Sequence, residues 1–157
     1  MASDIRLVRR TVLLYVRDVL FSGESIPVVE GYTLPNEDIQ VPSIAVWVAS
    51  RRNSKYGLGG SAIIKTYDCI LDIFTRNDGE RDTLGGRVME NFVSDNVRLK
   101  VPTALASVYD ANPGSLYGDL LIEHDFIRGT PVRDLDSGNI GRRHQHRIEC
   151  IMTLIKE

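Results

Sequence analysis

The residues of this chain best suited to chemistry are its three histidines and the acids beside them. His144 and His146 stand two apart, so on a strand they would point to the same side, as two ligands of one metal must. His124 lies between Glu123 and Asp125, which offer further donors. A metal centre, however, needs three or four converging ligands and outer groups that orient them. His144 and His146 lie among Arg142, Arg143 and Arg147, whose positive charge opposes a cation. The expectation is solvated or interface histidines and no bound metal.

Other candidate sets are weaker. Asp68 and Asp72 share one face of a strand, but a four-residue separation puts their Cα atoms about 13 Å apart. That is too far for two carboxylates to flank one bond, so both are expected to face solvent or a neighbouring subunit. Gly57, Gly59 and Gly60 precede a strand. Phosphate-binding glycine loops instead lie between a strand and a helix, so no cofactor is expected. No nucleophile elbow, metalloprotease motif or paired Cys-His pattern occurs. Cys69 and Cys150 each sit in an apolar run and read as buried small hydrophobes of a reducing, cytosol-like compartment.

Two basic stretches stand out. Residues 50–61 carry Arg51, Arg52, Lys55 and Tyr56. Residues 128–147 carry five arginines (Arg128, Arg133, Arg142, Arg143, Arg147), His144 and His146, and only two acids. Connections in a compact domain are mostly short, about 4–6 residues. The second stretch therefore reads as a long arm made for another molecule. Tyr56 is the only aromatic residue in either arm, so stacking platforms for single-stranded nucleic acid are scarce. The net charge of −2 gives no global pull toward DNA or an anionic membrane. Weak, non-specific contact with nucleic acid is compatible with the arms.

The elements that must position these residues follow from periodicity. Residues 3–21 predict a helix, with Ser3 as N-cap, Asp4 in the first turn and Ile5, Val8, Val12, Val16 and Val19 as the inward stripe. Val28 and Val29 suggest a short edge strand. Residues 43–49 read as a strand with Trp47 on a buried surface, and 62–75 as a longer one with Tyr67, Cys69, Leu71 and Ile73 toward the core. A helix capped by Asn77 or Asp78 runs to about Ser94, with Leu84, Val88 and Phe92 inward. Gly85 and Gly86 in its middle cost about 1 kcal/mol each relative to alanine, which hints at close packing on the sheet. Short strands are expected at 97–101 and 104–108, a longer one at 119–128, and a last one at 147–156 with Ile148, Cys150, Met152 and Leu154 inward. Only one helix separates the two groups of strands. The fold class is therefore α+β, a mostly antiparallel β-sheet packed by an N-terminal and a central helix, with long projecting loops. The 157 residues are expected to form one domain spanning 1–157. No apolar run is long enough for a membrane span, and no membrane partner is expected.

The order of elements, and above all the segment LDIFTRNDGERDTLGGRVMENF at 71–92, resembles the small tail-terminator and head–tail joining proteins of tailed bacteriophages. The arms are longer here than in the most compact members of that family. The resemblance implies a non-enzymatic structural virion protein. It would form a homo-oligomeric ring, a hexamer in the family, that caps the tail tube, stops its growth and joins tail to head and neck. The implied partners are other copies of the chain, tail-tube and sheath proteins, and head–tail connector or neck proteins, with DNA passing through the lumen. Assembly in a host cytoplasm and residence in the virion are implied with it. Such a ring needs complementary faces on one subunit. Arg51, Arg52, Lys55, Tyr56, Arg128, Arg133, Arg142, Arg143, His144 and His146 would form one partner of each contact. Asp78, Glu80, Asp82, Asp119, Glu123 and Asp125 would form the other. The alternatives are a connector or neck protein at an adjacent position, and a metal-dependent nucleic-acid-processing enzyme that uses His124, Asp125, His144 and His146.

Overall fold

The computed structural model describes residues 3–31, 40–55, 63–94, 97–123, 126–132 and 143–156, with the backbone alone at 52–55 and 63. The chain is an α+β fold, and its described residues form two α-helices and seven strands: α1 (Asp4–Tyr15), β1 (Val28–Glu30), β2 (Ser43–Lys55), β3 (Ile63–Phe74), α2 (Asp78–Val93), β4 (Arg98–Pro102), β5 (Leu116–Ile122), β6 (Arg128–Val132) and β7 (Gln145–Lys156). The sheet runs in the order β1-β2-β3-β7-β5-β4, and β6 also pairs with β7. β1 is parallel to β2, and every other pairing is antiparallel. Both helices pack on the same side of the sheet, α1 over β2 and β4 and α2 over β7 and β3.

The alternation of side chains along the strands explains the core. Ile44, Val46 and Val48 of β2, Tyr67, Cys69, Leu71 and Ile73 of β3, and Ile148, Cys150, Met152 and Leu154 of β7 are all buried beneath the helices. Leu84, Val88 and Phe92 supply the inner face of α2, as their spacing predicts. The Asn77 side chain caps that helix by accepting from the Glu80 amide at 2.9 Å. Tyr15 stacks with Phe92 at 6.5 Å and meets Tyr109 edge-on at 5.5 Å, which ties the two helices together.

Several boundaries differ from the sequence reading. The first helix passes at Val16–Leu20 into a π-helical turn, closed by the Phe21 amide on the Val16 carbonyl at 3.1 Å. The wider turn rotates Val19 out to 47% exposure and brings Leu20 and Phe21 into the core instead. The Ser3 side chain makes no cap. Residues 104–108 are not a strand. Their carbonyls are held by α1 and the turn that follows it: Arg10 donates to Ala106 at 3.1 Å and Arg17 to Ser107 at 2.8 Å, so no ladder is needed.

The largest correction concerns the second basic stretch. The strand expected at 119–128 stops at Ile122, and residues 128–132 form β6, which pairs with the first half of β7. Thus the two ends of the expected arm, 128–132 and 145–147, are paired strands, and residues 133–142 lie outside the described residues. β5 and β6 follow each other along the same edge of β7. Ile122 pairs with Met152 and Arg128 with Glu149, so between the two pairings β7 advances by Cys150 and Ile151 while the other side of the ladder advances by five residues, of which 124 and 125 lie outside the described residues. This bulge is held at its start by the Glu123 amide on the Ile151 carbonyl at 2.9 Å. It pushes Phe126 out to 59% exposure.

Candidate functional site

Among the described residues no helix packs on the second face of the sheet, where Ser43, Ala45, Asp72, Phe74 and Gln145 are buried and the part beyond them is partly exposed. On that face the second register of each strand points outward: Trp47 and Ala49 from β2, Asp68 and Ile70 from β3, Glu149 and Ile151 from β7. These residues, with Phe126 and Arg128, line a groove of about 830 Å³. Its apolar lining includes Trp47, Ile70, Ile151 and Phe126. Two ion pairs, Arg51–Asp68 at 3.0 Å and Arg128–Glu149 at 2.8 Å, interleave with them, since Asp68 is paired with Ile151 and Glu149 with Ile70 across β3 and β7. Trp47 also carries the guanidinium of Arg9 over its ring at 4.7 Å. The same guanidinium donates to the Val48 carbonyl at 2.8 Å, where β1 no longer covers the edge of β2.

The expected charged partners are placed as follows. Asp78 meets Arg81 at 3.1 Å and His144 at 2.7 Å. Glu80 pairs with Arg76 at 2.6 Å, and that hydrogen bond lowers the carboxyl below its usual range. Asp82 pairs with Arg81 at 3.2 Å, Asp119 with Lys100 at 2.8 Å and Arg98 at 3.6 Å. Glu123 accepts from the Thr153 hydroxyl at 2.8 Å. Many charges expected to meet between subunits thus meet within one. Arg143 lies just ahead of β7. Arg52 and Lys55 lie in β2, where only the backbone is described. Tyr56, Arg133, Arg142, His124 and Asp125 lie outside the described residues.

Two expectations are overturned. Asp72 does not face solvent: it is buried, accepts two bonds from Arg147 at 2.8 and 3.1 Å, and accepts from Gln145 at 2.7 Å. Three strand-borne donors converge there because Asp72 and Arg147 are cross-strand partners. His146 is not a solvated histidine either. Its ring lies beneath α2, where both nitrogens are covered and neither has a hydrogen-bond partner among the described residues. Burial, reinforced by Arg81 and opposed by Asp82, pushes its pKa below the usual value.

A separate polar cluster anchors the start of α1. The Asp4 carboxylate accepts from Lys65 and Tyr117 and meets Lys156 at 3.0 Å. Burial raises its pKa, but these bonds outweigh burial and hold it at about 2. Cys69 and Cys150 are directly opposed across β3 and β7 and both are free thiols. The hydrogen bond to Cys150, with burial, holds the Cys69 thiol well above its usual range. Among the described residues no group of three or more His, Cys, Asp or Glu converges as a metal site would require.

The groove residues were only partly legible. Ile70 and Ile151 fall on the outward register of their strands, which the alternation shows. Trp47 was expected in a buried surface, and nothing in the sequence singled out Phe126, which the bulge exposes. Comparison with known families finds no family model that matches the chain, and comparison with curated proteins finds no significant relative.

Proposed function

We propose that this protein is a structural subunit of a tailed phage that assembles with copies of itself into a ring, a hexamer by analogy with the family it resembles. The ring caps the tail tube and joins the tail to the neck. The observation that carries this reading is the groove on the sheet face opposite the helices. An antiparallel sheet tolerates water on one side when that side is polar. Here it holds partly exposed Trp47, Ile70 and Ile151 and a 59% exposed Phe126. Apolar side chains exposed among paired charges suit a protein contact. The β2–β3 and β6–β7 hairpins, which carry the basic stretches, extend the surface toward tube, sheath or neck proteins. On this reading the protein performs no catalysis, and DNA contact is confined to non-specific passage through the lumen.

The test is assembly itself. At high protein concentration, light scattering and negative-stain images are expected to show annular particles that bind the ends of tail tubes. Phe126→Asp places a charge among the apolar side chains of the groove without touching the core. It is expected to stay folded, with an unchanged urea midpoint, while assembly weakens at least tenfold. A strictly monomeric wild-type protein that neither binds nor caps tubes would overturn the proposal.

A further inference from the structure

His146 stands at the junction of three elements. It is the second residue of β7, opposite Ile73 of β3 and Pro131 of β6. Its ring fits between two glycines. A Cβ on Gly85 of α2 would lie 2.7 Å from Nδ1, and one on Gly129 of β6 would lie 2.8 Å from Nε2. Met89 of α2 completes the contact, because its Sδ would lie 3.1 Å from that same Gly129 Cβ. Any larger residue at 85 or 129 would displace the ring. The imidazole is therefore the spacer on which α2 and β6 close.

The fit is steric and not polar. Neither ring nitrogen is accessible or hydrogen-bonded among the described residues. A neutral imidazole tolerates this with one unsatisfied N–H. An imidazolium has two donors and a full charge to satisfy, and the described residues around the slot offer no acceptor within hydrogen-bond reach. The charged groups that face the ring come from α2: Arg81, which opposes a second positive charge, and Asp82, which favours one. Arg81 is itself held by Asp78 and Asp82. β3 and β6 present Ile73, Gly129 and Pro131, which carry no charge. Asp72, Arg147 and Glu149 lie on the opposite face of the sheet.

We infer that His146 is an acid-sensitive latch: protonation of its ring drives it out of the Gly85–Gly129 slot and releases β6 from β7, while the rest of the sheet stays paired. β6 is the element that gives way because it is short, lies at an edge and has an exposed outer side, whereas β3 is paired on both edges. Its release bares the backbone edge of β7 from Gln145 to Glu149, a template onto which another strand can pair. This inference rests on the fold alone and does not require the ring assembly proposed above.

Hydrogen exchange read by mass spectrometry on the full chain tests it. Rates at pH 7.5 and pH 5 are corrected for intrinsic exchange. Protection of residues 128–132 is expected to fall at least tenfold at pH 5, while residues 116–122 of β5 keep theirs. The loss should follow the NMR titration of the His146 ring. His146→Gln, neutral at both pH values, is expected to abolish the pH dependence, and His144→Gln to leave it in place. Should His146→Gln not fold, the wild-type ring titration and the β6 amides must still share one midpoint. Unchanged β6 protection once His146 is protonated, simultaneous loss across β5 and β6, or pH dependence that survives in His146→Gln would each overturn the latch.

Discussion

The side chains that decide stability here are those whose surroundings cannot adjust. Asp72 has a side chain only 6% exposed and leans on Arg147, which is 39% exposed. Removing the two partners should therefore have unequal effects. Arg147→Ala leaves a buried carboxylate with Gln145 as its one remaining described donor, and is expected to cost about 2–4 kcal/mol in urea unfolding. Asp72→Asn leaves an arginine that water can reach, and should cost less. The double variant should recover part of the loss. Gly85 and Gly86 make a second contrast. A methyl at 85 meets the His146 ring, whereas at 86 nothing lies within 4 Å. Gly85→Ala should destabilise by about 1–3 kcal/mol through overpacking, and Gly86→Ala should stabilise by about 0.5–1 kcal/mol through helix propensity. Equal effects in thermal melts would disprove this account of why a glycine pair sits in mid-helix. The sequence suggested close packing for both glycines. It held no sign that only one of them touches anything, because that depends on a histidine sixty residues away.

At the scale of elements, the sequence was most readable where one face of an element meets the core. The alternation in β3 and β7 and the inner face of α2 are physical consequences of burial, so they show as pattern. Legibility failed where tertiary contacts replace local signals. The π-helical turn at Val16–Leu20 has no distinguishing composition, yet it decides that Leu20 and Phe21, not Val19, enter the core. The 104–108 segment has strand-like composition but spends its carbonyls on Arg10 and Arg17. Polar composition hid β6 altogether. Its five residues include Gly129 and Pro131, poor strand formers, and only an edge position beside β7 makes them a strand. The candidate groove inherits this difficulty, since Phe126 is placed by a bulge that only the registers of β5 and β6 against β7 reveal.

For the whole molecule, charge networks set how stability responds to acid. Asp4 gathers α1, β3, β5 and β7 through Lys65, Tyr117 and Lys156. Its pKa falls from 3.8 to about 2 on folding. A lowered carboxyl contributes stability that is present above the unfolded value and lost as pH falls through the folded one. The contribution is about 2 kcal/mol. Asp4→Asn should lose it at pH 7, and the gap to wild type in urea midpoint should close between pH 4 and pH 2. His146 acts in another window. Its lowered pKa means that the unfolded chain takes up the proton first, so its penalty begins as pH drops below the usual histidine value. An event at His146, setting in below the usual histidine value, and the loss of the Asp4 contribution in stronger acid should thus be separable in one titration.

The central position of β7 has a consequence for how the chain comes to be folded at all. β3, β5 and β6 all pair with β7, yet all are translated before it. As the polypeptide leaves the ribosome, β3 waits with one edge bare, and β4 and β5 form a hairpin with nothing to join. The missing middle arrives last and must insert between two preformed edges. About half of the ladder therefore closes late, and its β3–β7 part joins residues some eighty apart in sequence, the kind of long-range closure that slows folding. Until then the open edges of β3 and β5 are available to strands of other nascent chains. A chain laid down in this order presents strand edges during synthesis that β7 pairs in the finished sheet.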